Sequence, residues 1–195
     1  LKKLLTVEAY PLDLIDLEDD AAARRTIAVS LADLDRLGSA WWCGYSFAWL
    51  ASLAARAREG EKAAKVLEIF ATTSTLRNSF HSNGGQSGKC YSKFTYRPFA
   101  LEGNFAAVAG LQEMLLQSHR GRMRIFPKIS ASWKDLSLSS LRAQRAFPVS
   151  AERVGDVVAR VKIVAEAGRQ CRFVSPSTQG GLLSPTQRRN EGARA

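Results

Sequence analysis

Apolar residues recur every three to four positions through most of the first half of the chain. In "DDAAARRTIAVSLADLDRL", Asp19 to Leu37, the residues Ile27, Leu31 and Leu34 fall along one side, the spacing of an amphipathic helix. The acids at its start suit the positive end of a helix dipole. "SFAWLASLAARARE" repeats the pattern with Leu50, Leu53, Ala54 and Ala57, and "EKAAKVLEIFATT" resumes it with Ala63, Val66, Leu67 and Phe70. A turn centred on Gly60 is expected to join these two runs as a helical hairpin. Periodicity disappears from Ser74 to Pro98, where Gly, Ser, Asn and aromatics mix. A loop of that length is either a functional loop, with room for a short hairpin, or a disordered insertion. A further helix is expected from Asn104 to Ser118, with Val108, Leu111 and Leu115 buried and Gly121 as its stop.

Beyond Gly121 the period changes. "RMRIF" is strand-like up to Pro127, and "AFPVSAERV" and "DVVARVKIVAE" follow as strands. In the last of these, Val157, Ala159, Val161 and Ile163 alternate with Arg160 and Lys162. "EAGR" reads as a turn, with "QCRFV" returning as a hairpin partner. The expectation is therefore an α+β chain: helices over 1–120, an antiparallel β domain over 121–175, and a Pro/Gly/Ser/Arg-rich disordered tail over 176–195.

Composition changes this picture little. The chain has 195 residues, 46% of them hydrophobic and 24% charged, ordinary values for a chain that buries a core. A formal charge of +10 raises nucleic acid as a partner. The acids, however, gather early, as in "DLIDLEDD", and the excess Arg and Lys lie mostly after Arg120 without a zinc-finger, RNP or GXXG motif, so no nucleic-acid partner is expected. Cys43, Cys90 and Cys171 are far apart and odd in number, and His81 and His119 lack metal-ligand spacing, so neither a disulfide framework nor a metal site is expected. Both histidines read as loop or helix-end residues. "LKKLLTVEAY" has no long apolar core, which argues against a signal peptide or a membrane span there. The initial Leu in place of Met hints at a piece of something longer.

One short stretch carries candidate chemistry. Glu102-Gly103-Asn104 follows the apolar approach Pro98-Phe99-Ala100-Leu101 and opens a helix. Asn104 is a good capping residue and Glu102 would favour the dipole, so plain architecture accounts for both. Alternatively, a carboxylate held at a helix start beside an aromatic loop can orient water or a sugar hydroxyl. Trp49, Tyr96 and Phe99, like Trp41, Trp42, Tyr45 and Phe94, suit either sugar faces or a packed core.

The segment "GYSFAWLASLAARAREGEKAAKVL" resembles the Gly-Trp-Ser-x-Ala-Trp helix, and the helix after it, of glycoside hydrolase family 95, the α-L-fucosidase family. "LEGNFAAVAGLQEMLLQSHRGRMRIFPKISASW" is similar to the family's Asp-Gly-Asn-Phe-Gly stretch, which runs into Ala-Gly-Ile-x-Glu-Met-Leu-Leu-Gln-Ser and a Leu-Pro-Ala-Leu-Pro-x-x-Trp turn. "LRAQRAF" resembles the opening of its C-terminal β domain. The likeness spans Gly44 to Phe173 and is weakest from His81 to Thr95. It implies the C-terminal helices of an (α/α)6 toroid followed by a small antiparallel β-sandwich-like domain. It also implies inverting hydrolysis of terminal α-L-fucosides or related L-sugars, a glycan substrate and no cofactor. Inversion needs an acid and a base roughly 6.5–9.5 Å apart to admit a water. Glu102 matches the Asp that supports the family's water-activating Asn pair, with Asn104 as its motif neighbour; Trp49, Tyr96 and Phe99 are the candidate substrate-binding residues. The general acid and the Asn pair come from a part of the family's chain that precedes anything in this sequence.

Several positions depart from the family pattern. Glu102 is one methylene longer than Asp, Ala106 stands where Gly is usual, Lys128 and Ser130 replace Ala and Pro, and Arg145 and Arg169 replace glycines. Arginine at a turn requiring positive φ destabilises it, as in a drifting fragment of a once-complete enzyme. Six helical hairpins need at least about 200 residues, so a missing N-terminal catalytic part is expected and the chain alone is expected to be inactive. A non-catalytic carbohydrate-binding or interaction module is the second reading. A maltose-phosphorylase-type toroid is the nearest enzymatic rival, and it lacks its phosphate-binding residues here.

Overall fold

The computed structural model describes residues 8–88 and 91–174. The expected disordered tail, and most of the "LKKLLTVEAY" opening, lie outside the described residues. Among the described residues four helices come first: α1 (Ala21–Leu37), α2 (Gly44–Arg56), α3 (Gly60–Thr73) and α4 (Glu102–Leu115). Asp20 caps α1 by accepting from the Ala23 N–H at 2.7 Å, and Ile27, Leu31 and Leu34 are buried as their spacing requires.

Helix α2 is buried on nearly every side, from Phe47 to Ala55. It packs on α3 and α4, while Leu50 and Leu53 meet α1 across a shared cluster. The turn between α2 and α3 differs from expectation. Arg58, at φ 59°, takes the left-handed conformation, whereas Gly60 is already helical and lies where a Cβ would sit 2.6 Å from the Lys128 carbonyl.

Helix α4 also departs from its expected form. It begins at Glu102 with Leu101 in the cap position and ends at Leu115 rather than Ser118, and the chain turns at once into extended backbone. Its buried residues are Gly103, Gly110 and Met114, not the Val108–Leu111–Leu115 stripe. Val108 is 64% exposed and Leu111 also faces out, while only Leu115 keeps partial burial. The cause is close approach. A Cβ on Gly110 would lie 3.0 Å from the Ala51 side chain, so small residues draw α4 onto α2 and the bulky ones are left outside.

Among the described residues the second half holds two three-stranded sheets. In one, β1 (Leu116–Gln117) runs antiparallel to β2 (Met123–Ile125), which pairs in parallel with β6 (Phe173–Val174). "QCRFV" is therefore not the hairpin partner of the preceding strand; it crosses to the other sheet. The second sheet is an antiparallel meander of β3 (Leu136–Ala143), β4 (Phe147–Val154) and β5 (Val157–Ile163). A register shift between Glu152 and Arg153 moves the inward positions of β5 to Val158, Val161 and Ile163, so the strict alternation from Val157 fails. Both sheets contribute to one apolar cluster around Ile125, Phe147 and Val149.

An ion cluster joins the early acids to the later arginines. Glu18 accepts from Arg58 and, at 2.6 Å and 2.5 Å, from Arg124 and Arg122. Arg120 reaches Asp19 at 2.6 Å, and the Nε2–H of buried His119 donates to Asp16 at 2.7 Å. Both histidines lie in loops, as expected, and His119 is in addition buried within this cluster. The His119 bond, with Arg124 nearby, holds the Asp16 carboxyl well below the usual range, and the bonds from Arg124, Arg58 and Arg122 lower Glu18 from 4.5 to about 2. Depressed carboxyl values stabilise the folded chain above the ordinary carboxylate range, and that contribution is lost as pH falls through the folded value. Stability should therefore decline between roughly pH 4.5 and 2, and Glu18→Gln should flatten that decline in acid titrations followed by circular dichroism. An unchanged acid limb in Glu18→Gln would disconnect the cluster from acid unfolding.

Candidate functional site

The residues from Ser79 to Ser82 and from Phe99 to Asn104 form one corner of the molecule, built around His81. This side chain is fully buried. Its Nδ1–H donates to the Ala100 carbonyl at 2.8 Å, which fixes the tautomer, and its Nε2 has no hydrogen-bond partner. The ring is stacked at a tilt on Phe70, with centroids 5.5 Å apart. Gly44 at the start of α2 and Gly103 at the start of α4 meet it from two sides. A Cβ on Gly44 would lie 2.2 Å from Nε2, and one on Gly103 would lie 2.4 Å from Nδ1. Such separations are far inside van der Waals contact, so both helix starts must be glycine for the ring to fit.

Asn104 is not a helix cap. Its Oδ1 accepts from the His81 backbone N–H at 2.8 Å and its Nδ2 donates to the Ser79 carbonyl at 2.8 Å. Both ends of its amide bind backbone, which makes it a tie between the loop and α4. Ala100 and Ser82 add backbone links, Ala100 N–H to the His81 carbonyl and a bridge from Ser82 to Phe99.

This scaffold places Glu102 in the first turn of α4, where the helix dipole favours its charge. The carboxylate is exposed and no described residue hydrogen-bonds it. Beside it, Phe80 and Phe99 form an exposed aromatic pair with centroids 4.7 Å apart, and Tyr96, 66% exposed, meets Phe94 edge-on. Trp49 is not part of this corner; it packs against the cluster that joins α1 and α2. Of the expected site residues the structure thus groups Glu102, Asn104 and Phe99, with Tyr96 along the same loop. Phe80 and His81 join them. Both lie in the aperiodic loop, and the only sequence signal for His81 was a glycine opening each of two helices.

A groove of about 720 Å³ runs between α3 and α4, lined by Leu67, Phe70, Ala107, Val108, Leu111 and Trp133, among others. Glu102 is not among its lining residues. Around the carboxylate the surface is apolar and open: Leu101, Phe105 and Val108 continue outward along α4, Phe105 at 67% exposure. Among the described residues there is no group of His, Cys, Asp and Glu able to hold a metal ion, and no helix is long and apolar enough to cross a membrane.

Residues 5–115 fit the family model described as Glycosyl hydrolase family 95 catalytic domain, which makes the class a glycoside hydrolase. With more than half of the chain covered, this protein belongs to glycosyl hydrolase family 95. The matched stretch ends on the last residue of α4. No curated protein matches the chain.

Proposed function

We propose that this chain is the C-terminal portion of an inverting glycosidase of the α-L-fucosidase type, acting on terminal α-L-fucosides or related L-sugars. Residues 1–120 are the last helices of an (α/α)6 toroid and 121–175 a β-sandwich-like domain. Glu102 takes the place of the water-supporting Asp, Asn104 holds its turn, and Phe99 and Tyr96 offer ring faces to the sugar. The family match through Glu102 carries this reading. The apolar strip from Leu101 to Val108 supports it, because an exposed stripe of this kind marks a surface made to be covered. Packing by the preceding toroid helices would enclose Glu102 and supply the general acid.

Alone, the polypeptide is expected to show no turnover of an aryl α-L-fucoside above background. Supplied with the preceding helices of a family 95 domain, it should gain turnover that Glu102→Gln lowers by about a hundredfold or more, the scale of a lost acid–base contribution. Turnover that persists in Glu102→Gln would remove Glu102 from the chemistry.

The exposed Phe80–Phe99 pair favours a second reading, a sugar-binding surface without catalysis. Glycan binding by the isolated chain that survives Glu102→Ala but not Phe99→Ala would select it.

A further inference from the structure

Far from Glu102 in sequence, the β half presents a small basic notch lined by Arg122, Arg145 and Arg172 together with Ser118, Gln144 and Gln170. Its volume is about 20 Å³, room for little more than one water-sized group. Buried Met123 and Phe147 also line it, which weakens dielectric screening there. No Asp or Glu lines the notch. Of the three arginines, Arg122 is already paired, with Glu18 at 2.5 Å. Among the described residues, no carboxylate pairs with Arg145 or Arg172. Burial pushes the Cys171 thiol up, so it adds no negative charge. The Ser118 hydroxyl oxygen accepts from the Gln144 N–H at 2.9 Å, which leaves its own hydrogen to donate outward.

Arg145 is also held at a strained backbone. It lies at φ 64°, with Ala146 at φ 62° directly after it, and two consecutive left-handed residues that are not glycine destabilise a turn. Its Nη2 reaches to 4.0 Å from where a Gly121 Cβ would stand, across the notch from its own strand hairpin. Strain of this kind persists where a side chain is needed in place.

The geometry points to an oxyanion site: Arg145 and Arg172 grip a sulfate or carboxylate substituent on an acidic glycan. Guanidinium forks match the paired oxygens of such groups. A space of this volume admits one oxygen of an oxyanion at most, so the rest of the group and the sugar stay outside. Family membership favours a glycan over a nucleic acid as carrier; the inference does not depend on Glu102.

Titration of the full chain with a sulfated fucan oligosaccharide, an oligogalacturonate, a desulfated fucan oligosaccharide, inorganic sulfate and a single-stranded oligodeoxynucleotide tests it. The two acidic oligosaccharides should bind in a salt-sensitive manner and weaken about tenfold or more in Arg145→Gly and Arg172→Ser. Arg145→Gly removes the strain as well, so its Tm should rise by about 2–4 °C while binding falls, which separates loss of the site from loss of the fold. Unchanged binding in both variants overturns the site. Equal affinity for inorganic sulfate, or tighter binding of the oligodeoxynucleotide, overturns the assignment to a glycan. Neutral desulfated fucan should be indifferent to both substitutions, so failure here and failure of the fucoside reading are read in different arms.

Discussion

Gly103→Ala is expected to destabilise the chain by about 3 kcal/mol, at the upper end for an added methyl group in a packed interior. The new Cβ would fall 2.4–2.6 Å from three atoms of the His81 ring. That ring has no room to retreat, because Gly44 and Ser74 close its other side and Phe70 stacks on it. Gly44→Ala should behave alike. Chemical denaturation measures the effect, and a double substitution provides the control. In a His81→Ala background the ring is gone, and Gly103→Ala should then be nearly neutral, a coupling of more than 1 kcal/mol. Full additivity of the two changes would mean that the ring is not what excludes the methyl group.

Arg124→Met should destabilise by a similar amount, about 3 kcal/mol. Its side chain is only 6% exposed and lies 2.6 Å from Glu18 and 3.7 Å from Asp16. Removing the cation leaves two largely sequestered carboxylates short of compensation, although Arg58, Arg122 and His119 still reach them. Those remaining partners place the expectation at the low end of the range for breaking a buried pair. Glu18→Gln combined with Arg124→Met should recover part of the loss. A loss under about 0.5 kcal/mol, the level of an exposed pair, would show that Arg124 contributes packing alone.

The helices were legible because each buries a recurrent apolar face, and α1 even announces its start through Asp20. Helix α4 was legible in place but not in orientation. Reading a stripe from the bulkiest residues selects Val108 and Leu111, whereas contact with α2 runs through Gly110 and Met114, and Gly103 meets His81. Strands β4 and β5 were legible, although one extra residue between them shifts the inward face of β5, and β3 was not read as a strand. Strand β6 was misassigned because two residues carry no period, and its partner Met123–Arg124 lies some fifty positions away.

The candidate site shows the same division. Glu102, Asn104 and Phe99 were found because they adjoin in sequence. His81 was not, since its role comes from two glycines at other helix starts converging on one ring. The acids of "DLIDLEDD" and the arginines after Arg120 were each visible as charge blocks. Their pairing was not, because nothing in either block fixes its distance from the other.

That pairing has a bearing on how the polypeptide assembles. Glu18 and Arg124 are separated by 106 positions, so in a growing chain the acidic stretch meets Arg58 first and the arginines beyond His119 only much later. Closing so long a span comes late, after the local helices have formed. The seam that shuts last is also the one that dilute acid should loosen first.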